Sequence, residues 1–364
     1  MKTLKKSFAI MLCLLLTLSC LAGCHEKGEI AVTIGEVEFT SGYYSCALVF
    51  ADSDARAMVE EQLSEEGDLP DEIKYWEYKV EETDYVKWVE NKAIENLKKL
   101  AAVKTLCDKA GVTLDAETVS LSDSNADYLW EYYSYSSLME ENGVSKETFK
   151  QYMRDGYLTD AYFEHLYGKD GDKEIAAETV SKQLSDNYVL VNAIEVSFSG
   201  LKDDEKTEKK NQLTTYESVL KEGSKTFEEI YIEYNNLKAE DHKHDETEEG
   251  ESHPQDYHAS VWGNEDTDYS SDHYKTAKEM ATGEIKFVTL DDDAGLVLIV
   301  KKDIMADPYY LEDLDTVLRY AIEGENYEAD IVKYGDDLSC DINTYATKQF
   351  KVKKIKYPES TYSY

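Results

Sequence analysis

Between Ala239 and Gly263 the chain sets four of its seven histidines, His242, His244, His253 and His258, among closely spaced carboxylates. Imidazoles beside Asp and Glu are the donors of zinc and other first-row metals. No regular strand or helix turns His242 and His244 toward one ion without cost, so a site would need a loop that bends them toward His253 or His258. The Glu-rich, Gly-containing run reads by composition as a solvated loop. The four histidines are candidate ligands only if that loop captures a metal, and no cofactor is called for. At the end of the run, Tyr257 and Trp262 are rings that could line a groove for an extended polypeptide or equally pack in a core. Past Cys24 only Cys46, Cys107 and Cys340 remain, with no C-x-x-C spacing for redox work, so they are expected to be mostly buried thiols.

The leader narrows the setting. Lys2, Lys5 and Lys6 precede an apolar run from Phe8 to Leu18, the pattern of a secretion signal. That run falls short of the roughly 20 apolar residues that span a bilayer, and no later segment could cross one. The chain has 364 residues and a formal charge of −37, which becomes about −40 once the three leader lysines are removed. Such a surface repels nucleic acid and anionic headgroups, so no nucleic-acid partner is expected. Nothing in composition sets an oligomeric state. The length beyond the leader suffices for two or three cores.

The elements that must carry these residues follow from periodicity. Ile30, Val32 and Ile34 alternate as a strand, Gly35-Glu36 turns, and Val37 to Phe39 returns to a helix capped by Thr40 that carries Tyr43, Tyr44, Ala47 and Leu48. Val86, Val89, Ala93, Leu97, Leu100, Val103 and Cys107 make a helical stripe that stops at Gly111. "NADYLWEYYSYSSLMEENG" predicts a helix with rings on more than one side, and a second helix starts at Ser145 with Phe149, Met153, Leu158, Tyr162 and Leu166. Most of these rings are expected in a helical core, and a concave helical surface can share them with a groove. A new domain opens with the strand "YVLVNAIEVSF". A polar helix follows from about Asp204 to Glu222, then a capping box at Thr226 and Glu229. The strands Ile285 to Val288 and Leu296 to Val300 close an antiparallel sheet, so this part is α+β. The chain ends with helices near Tyr309 to Tyr320 and Tyr327 to Gly335 and a basic strand, "KQFKVKKIKY".

Quoted in order, "VTIGEVEFTSGYY", "GVSKETFKQYM", "VLVNAIEV", "KEGSKTFEEIYIEY" and "MATGEIKFVTLDDDAGLVLIVKK" resemble the PrsA-like extracytoplasmic foldase lipoproteins. These are parvulin-type peptidyl-prolyl isomerases with a SurA-like helical chaperone module. The ending Leu21-Ala22-Gly23-Cys24 is similar to a lipobox, which implies cleavage before Cys24 and acylation of its thiol into the bilayer. The resemblance implies a signal peptide over 1–23, a tether over 24–28, and a helical chaperone module over 29–180. It further implies a parvulin-like sheet-and-helix domain over 188–303, with the His/Glu-rich loop at 239–260. Residues 304–356 would then pack on the helical module, the basic strand pairing with the opening strands.

The implied activity is binding of unfolded secreted polypeptides and acceleration of X-Pro isomerisation, whose barrier is about 20 kcal/mol. Family members place histidines on the first and last strands of the sheet. Here those positions carry Ala193 and Val297, neither of which can donate or accept a hydrogen bond. The expectation is therefore a membrane-tethered foldase or chaperone with a weakly active or inactive parvulin domain. The alternatives are an active isomerase and a metal- or solute-capture lipoprotein. The last lacks the two-lobed series of alternating strands and helices that such binding domains need.

Overall fold

The computed structural model describes residues 28–67, 70, 72–132, 135–237, 254–263, 271–290 and 294–358. The leader, Cys24, His242, His244, His253 and the three-aspartate turn lie outside them. In chain order the elements are β1 (Ile30–Ile34), β2 (Val37–Thr40), α1 (Ser41–Glu66), β3 (Lys79–Val80), β4 (Thr83–Asp84) and α2 (Tyr85–Ala110). Next come α3 (Ala116–Tyr132), α4 (Tyr135–Glu141), α5 (Lys146–Tyr167), α6 (Ala177–Asn187), β5 (Tyr188–Ser197), α7 (Asp203–Lys221) and α8 (Phe227–Tyr234). The rest are β6 (Ala259–Gly263), α9 (Ser271–Glu279), β7 (Ile285–Thr289), β8 (Gly295–Lys302), α10 (Pro308–Asp313), α11 (Asp315–Asp337), β9 (Cys340–Ile342) and α12 (Thr344–Thr347). The fold is α+β, a mainly helical module with an inserted antiparallel sheet-and-helix domain. One compact unit runs to Asp172 and resumes at Glu325, and the other is Lys173–Gly324.

In the first unit, Thr40 caps α1 by accepting from the Tyr43 amide at 3.3 Å, and Ser145 caps α5 through the Thr148 amide at 3.2 Å. Gly35 turns the opening hairpin at φ +59°, a conformation that costs glycine little. The buried face of α1, from Tyr43 to Leu63, packs with Tyr85, Val89, Ala93, Leu97 and Ala101 of α2. A second cluster joins Cys46 and Val49 to Ala126, Trp130, Met139 and Phe149. Cys46 and Cys107 are buried as expected, but Cys340 on β9 is exposed.

Two expectations for the chain's end are corrected. The strand that closes the opening sheet is β9, which pairs antiparallel with β1 as Val32↔Ile342 and Ile34↔Cys340 in the order β2-β1-β9. "KQFKVKKIKY" forms no strand. The adjacent Lys353 and Lys354 break its alternation, and a 3₁₀ turn over Val352–Lys354 directs Val352 and Phe350 to the α1–α2 core. Its tail is held by side chains instead. Asn142 donates to the Lys356 carbonyl at 2.8 Å and accepts from its amide at 3.0 Å, and Tyr357 stacks on the Arg56 guanidinium at 3.9 Å. The last two helices also divide differently. Asp307 caps a short α10 with Pro308 in its first turn, and α11 runs unbroken through Gly324 and Gly335. At Gly324 the Tyr320 ring occupies the space a side chain would need, 2.7 Å from an ideal Cβ, so glycine here serves close packing within the helix rather than its end.

In the second unit the sheet order is β6-β5-β8-β7, all antiparallel. The central strand β5 is buried on both faces over its first half, which is why it reads as nearly continuous apolar sequence rather than clean alternation. Ile194, Val196 and Phe198 pack under Leu213 and Tyr216 of α7 and Phe227 and Ile230 of α8. The Thr226–Glu229 capping box is present. Val189 and Val191 face the other way, against Ala277 of α9 and Met280 just beyond it.

Candidate functional site

The register of β5 on β8 decides what the sheet can offer a ligand. Ala193 pairs with Ile299 and Glu195 with Val297, so Ala193 and Val297 are diagonal neighbours on one face. The fold therefore brings together the two positions singled out in the sequence. Val297 is buried among Val189, Val191, Trp262, Val288 and Ile299, with half-buried Ala193 packed against that cluster. Glu195, further along the same face, is exposed. The pair consists of methyl groups packed in this core, with Val297 2% exposed, and can neither move a proton nor polarise an amide.

The two rings expected to share a groove are parted. Trp262 is 2% exposed and belongs to the core of this face, because its register opposite Val189 on β6 turns it inward. Tyr257, before the strand begins, is 40% exposed. His258 is the one member of the histidine run within the described residues. Its ring lies 4.3 Å from that of Tyr231, and its amide donates to Asp256 Oδ1 at 3.0 Å. Asp256 also pairs with Lys302 at 2.9 Å. Burial pushes the Asp256 carboxyl up, but the Lys302 ammonium and the His258 amide outweigh it and hold the group below its ordinary range. Among the described residues no three His, Cys, Asp or Glu side chains are grouped to hold a metal.

One imidazole was missed in the sequence. His273 on α9 is 3% exposed, and its Nε2 is buried without a hydrogen-bond partner among the described residues. It stands one turn before Ala277, on the helix side turned to the Ala193–Val297 face. The spacing of His273, Ala277 and Met280 at i, i+4 and i+7 was the available signal, hidden because a histidine does not register as part of an apolar stripe.

The helical unit contributes a different surface. Helix α3 buries Ser122, Ala126 and Trp130 at four-residue intervals. Its opposite side carries Leu121, Tyr128 and Tyr132, which are 53%, 53% and 70% exposed, with the two tyrosine rings 5.0 Å apart. The rings of this segment are thus divided between core and surface. No helix among the described residues is long and apolar enough to cross a membrane.

No family model matches the chain, and no curated protein does. Solved structures do. The foldase protein PrsA from Streptococcus pneumoniae is similar at 16% identity over 73% of this chain and 93% of its own, with a TM-score of 0.39. Foldase protein PrsA from Lactococcus lactis is similar at 12% identity over 89% of this chain and 99% of its own, with a TM-score of 0.37. PrsA from Bacillus subtilis is similar at 12% identity over 73% and 83%, with a TM-score of 0.28. At TM-scores below 0.5 the likeness decides neither family nor activity.

Proposed function

We propose that the chain is an extracytoplasmic foldase or chaperone, tethered to the membrane through acylated Cys24, that binds unfolded secreted polypeptides. The observation that carries this reading is the exposed Leu121–Tyr128–Tyr132 stripe on α3. Apolar side chains on one face of a helix suit transient contact with extended chains, and the tyrosines keep a hydroxyl in water while their rings bind. The Ala193–Val297 pair is packed in the core of the sheet domain and carries no polar group, which disfavours acid–base catalysis there. The high negative charge keeps a crowded, tethered holdase soluble. The whole chain is expected to delay aggregation of an unfolded client and to shift fluorescently labelled extended peptides in anisotropy titrations. Leu121→Ser with Tyr128→Ser should weaken both effects at least several-fold. A chain that neither protects nor binds removes the proposal.

The alternative reading is residual prolyl isomerase activity, with His273, buried on α9 at 3% exposure, as its candidate imidazole. A protease-coupled assay on an X-Pro peptide separates the two. Rates at the thermal background leave the binding role alone, while a rate above it that His273→Phe abolishes makes the chain an enzyme.

A further inference from the structure

We propose that the cleft lined by Lys278, Lys301 and Lys302 at one end of the four-stranded sheet is a subsite for a carboxylate on an extended polypeptide. The inference rests on the polypeptide-binding reading and names a chemical feature of what is bound. The cleft measures ≈ 170 Å³, and Tyr188, Leu190 and Met305 line it beside the three lysines. Two helix ends aim its cations. Lys278 Nζ donates to the Ser185 carbonyl in the last turn of α6 at 2.7 Å. Lys301 Nζ donates to the carbonyls of Lys278 and Met280, at the end of α9, at 2.9 and 2.6 Å.

All three acceptors are neutral amides, so they orient the ammonium groups without cancelling their charge. Each ammonium has three N–H donors, which leaves two on Lys278 and one on Lys301 for a ligand. Among the described residues neither lysine is ion-paired, whereas Lys302 reaches Asp256. Asp303 also lines the cleft, and Asp186 and Glu284 act on Lys278 and Lys301 from a distance, but none of the three carboxylates forms an ion pair with either lysine. Burial lowers the Lys278 ammonium below its ordinary range and the neighbouring Lys301 charge lowers it further, against an opposing pull from the Asp186 carboxylate. Burial likewise lowers Lys301, with the Glu284 carboxylate opposing it. A carboxylate between them would relieve that repulsion and accept charge-assisted hydrogen bonds, the stronger kind.

Capping of α9 takes two donors of Lys301 and capping of α6 takes one of Lys278, so Lys278 keeps most of its donors for a ligand. The apolar wall narrows the ligand. Met305 is 44% exposed at the cleft, and its flexible thioether can pack against side chains of several shapes. An apolar side chain next to a carboxylate describes both a polypeptide C-terminus and an acidic residue within a hydrophobic stretch.

Three N-terminally labelled hexapeptides of one apolar sequence distinguish these sources in anisotropy titrations of the whole chain. The first ends in a free acid, the second in an amide, and the third is an amide with one internal Glu. One or both acidic peptides should bind at least ten-fold more tightly than the plain amide, and Lys278→Gln should erase that advantage without lowering the melting midpoint. Equal binding of all three, or a preference that Lys278→Gln leaves intact, overturns the carboxylate subsite while sparing the polypeptide-binding reading. Failure of all three to bind removes both. Displacement by inorganic phosphate as effective as by acetate would make the cleft a general anion site and overturn the assignment to carboxylates. Lys301 is kept intact throughout because its loss would also uncap α9.

Discussion

Asp155 on α5 is 3% exposed and accepts hydrogen bonds from the Tyr43 hydroxyl at 2.9 Å, Lys104 Nζ at 2.8 Å and Gln151 Nε2 at 2.6 Å. A buried carboxylate so surrounded is stable only while its donors are in place, and removing it strands them. Asp155→Ala is expected to cost about 3 kcal/mol, read as a lowered urea midpoint at unchanged slope. A loss below about 1 kcal/mol would show that water replaces the carboxylate. The thiols give an independent check. Burial pushes the Cys107 thiol up to about 11, and Cys46 is fully buried. Apart from the proposed lipidation site Cys24, only Cys340 should react rapidly with a maleimide in the folded chain, as peptide mapping would reveal. Zinc titrated into the whole chain is expected to produce weak, non-stoichiometric heats. A tight transition lost on replacing His242, His244, His253 and His258 would instead make the run a metal site.

Two helical glycines make opposite demands on their elements. Gly156 on α5 is exposed, with nothing within 4 Å of an added Cβ, so Gly156→Ala should stabilise by about 0.5–1 kcal/mol through helix propensity alone. At Gly335 on α11 the same methyl would stand 2.8 Å from the Lys98 backbone carbonyl of α2. Gly335→Ala should therefore destabilise by about 1–3 kcal/mol despite the gain in propensity, because neither backbone can yield cheaply. Thermal midpoints of the two variants should move in opposite directions. Periodicity identified the stripe of α2 and the caps of α1, α5 and α8 because those features are written within a few residues. It placed a helix end near Gly335, close to the observed end at Asp337, but gave no sign of the close packing at Gly335, because contact with a distant helix leaves no local trace.

Over the whole molecule the abundance of tyrosine, 29 residues, gives stability a dependence on alkaline pH. In the helical unit burial holds Tyr43, Tyr85, Tyr327 and Tyr357 above the ordinary phenol range, with nearby carboxylates adding to the shift. A group whose folded pKa is raised binds its proton more tightly in the native state. The associated stability is complete below the unfolded value of about 10 and is lost as pH rises above it. Unfolding should accordingly become easier past about pH 10, with a fraction of the tyrosine absorbance change at 295 nm appearing together with the loss of helical circular dichroism. Titration of every tyrosine while the helices remain intact would contradict this.

The sequence by itself determined the signals that act locally. The opening hairpin follows from alternation and Gly35, the capping box from Thr226 and Glu229, and the α+β class from helical stripes succeeded by apolar strands. Resemblance in the order of motifs also pointed to Ala193 and Val297, but their proximity depends on the pairing of β5 with β8 across about a hundred residues. Tertiary structure alone decided that β9 rather than the basic tail closes the first sheet. One edge of β1 can accept only one strand, and the Lys353–Lys354 pair bends the tail into a turn. It also decided that Trp262 faces inward while Tyr257 remains exposed, since strand register assigns each side chain to a face. Likewise it placed His273 on the side of α9 that faces the sheet. It assembled Lys278 and Lys301 in one cleft, because carbonyls at the ends of α6 and α9 hold the two ammonium groups, a juxtaposition that strand pairing and helix docking create.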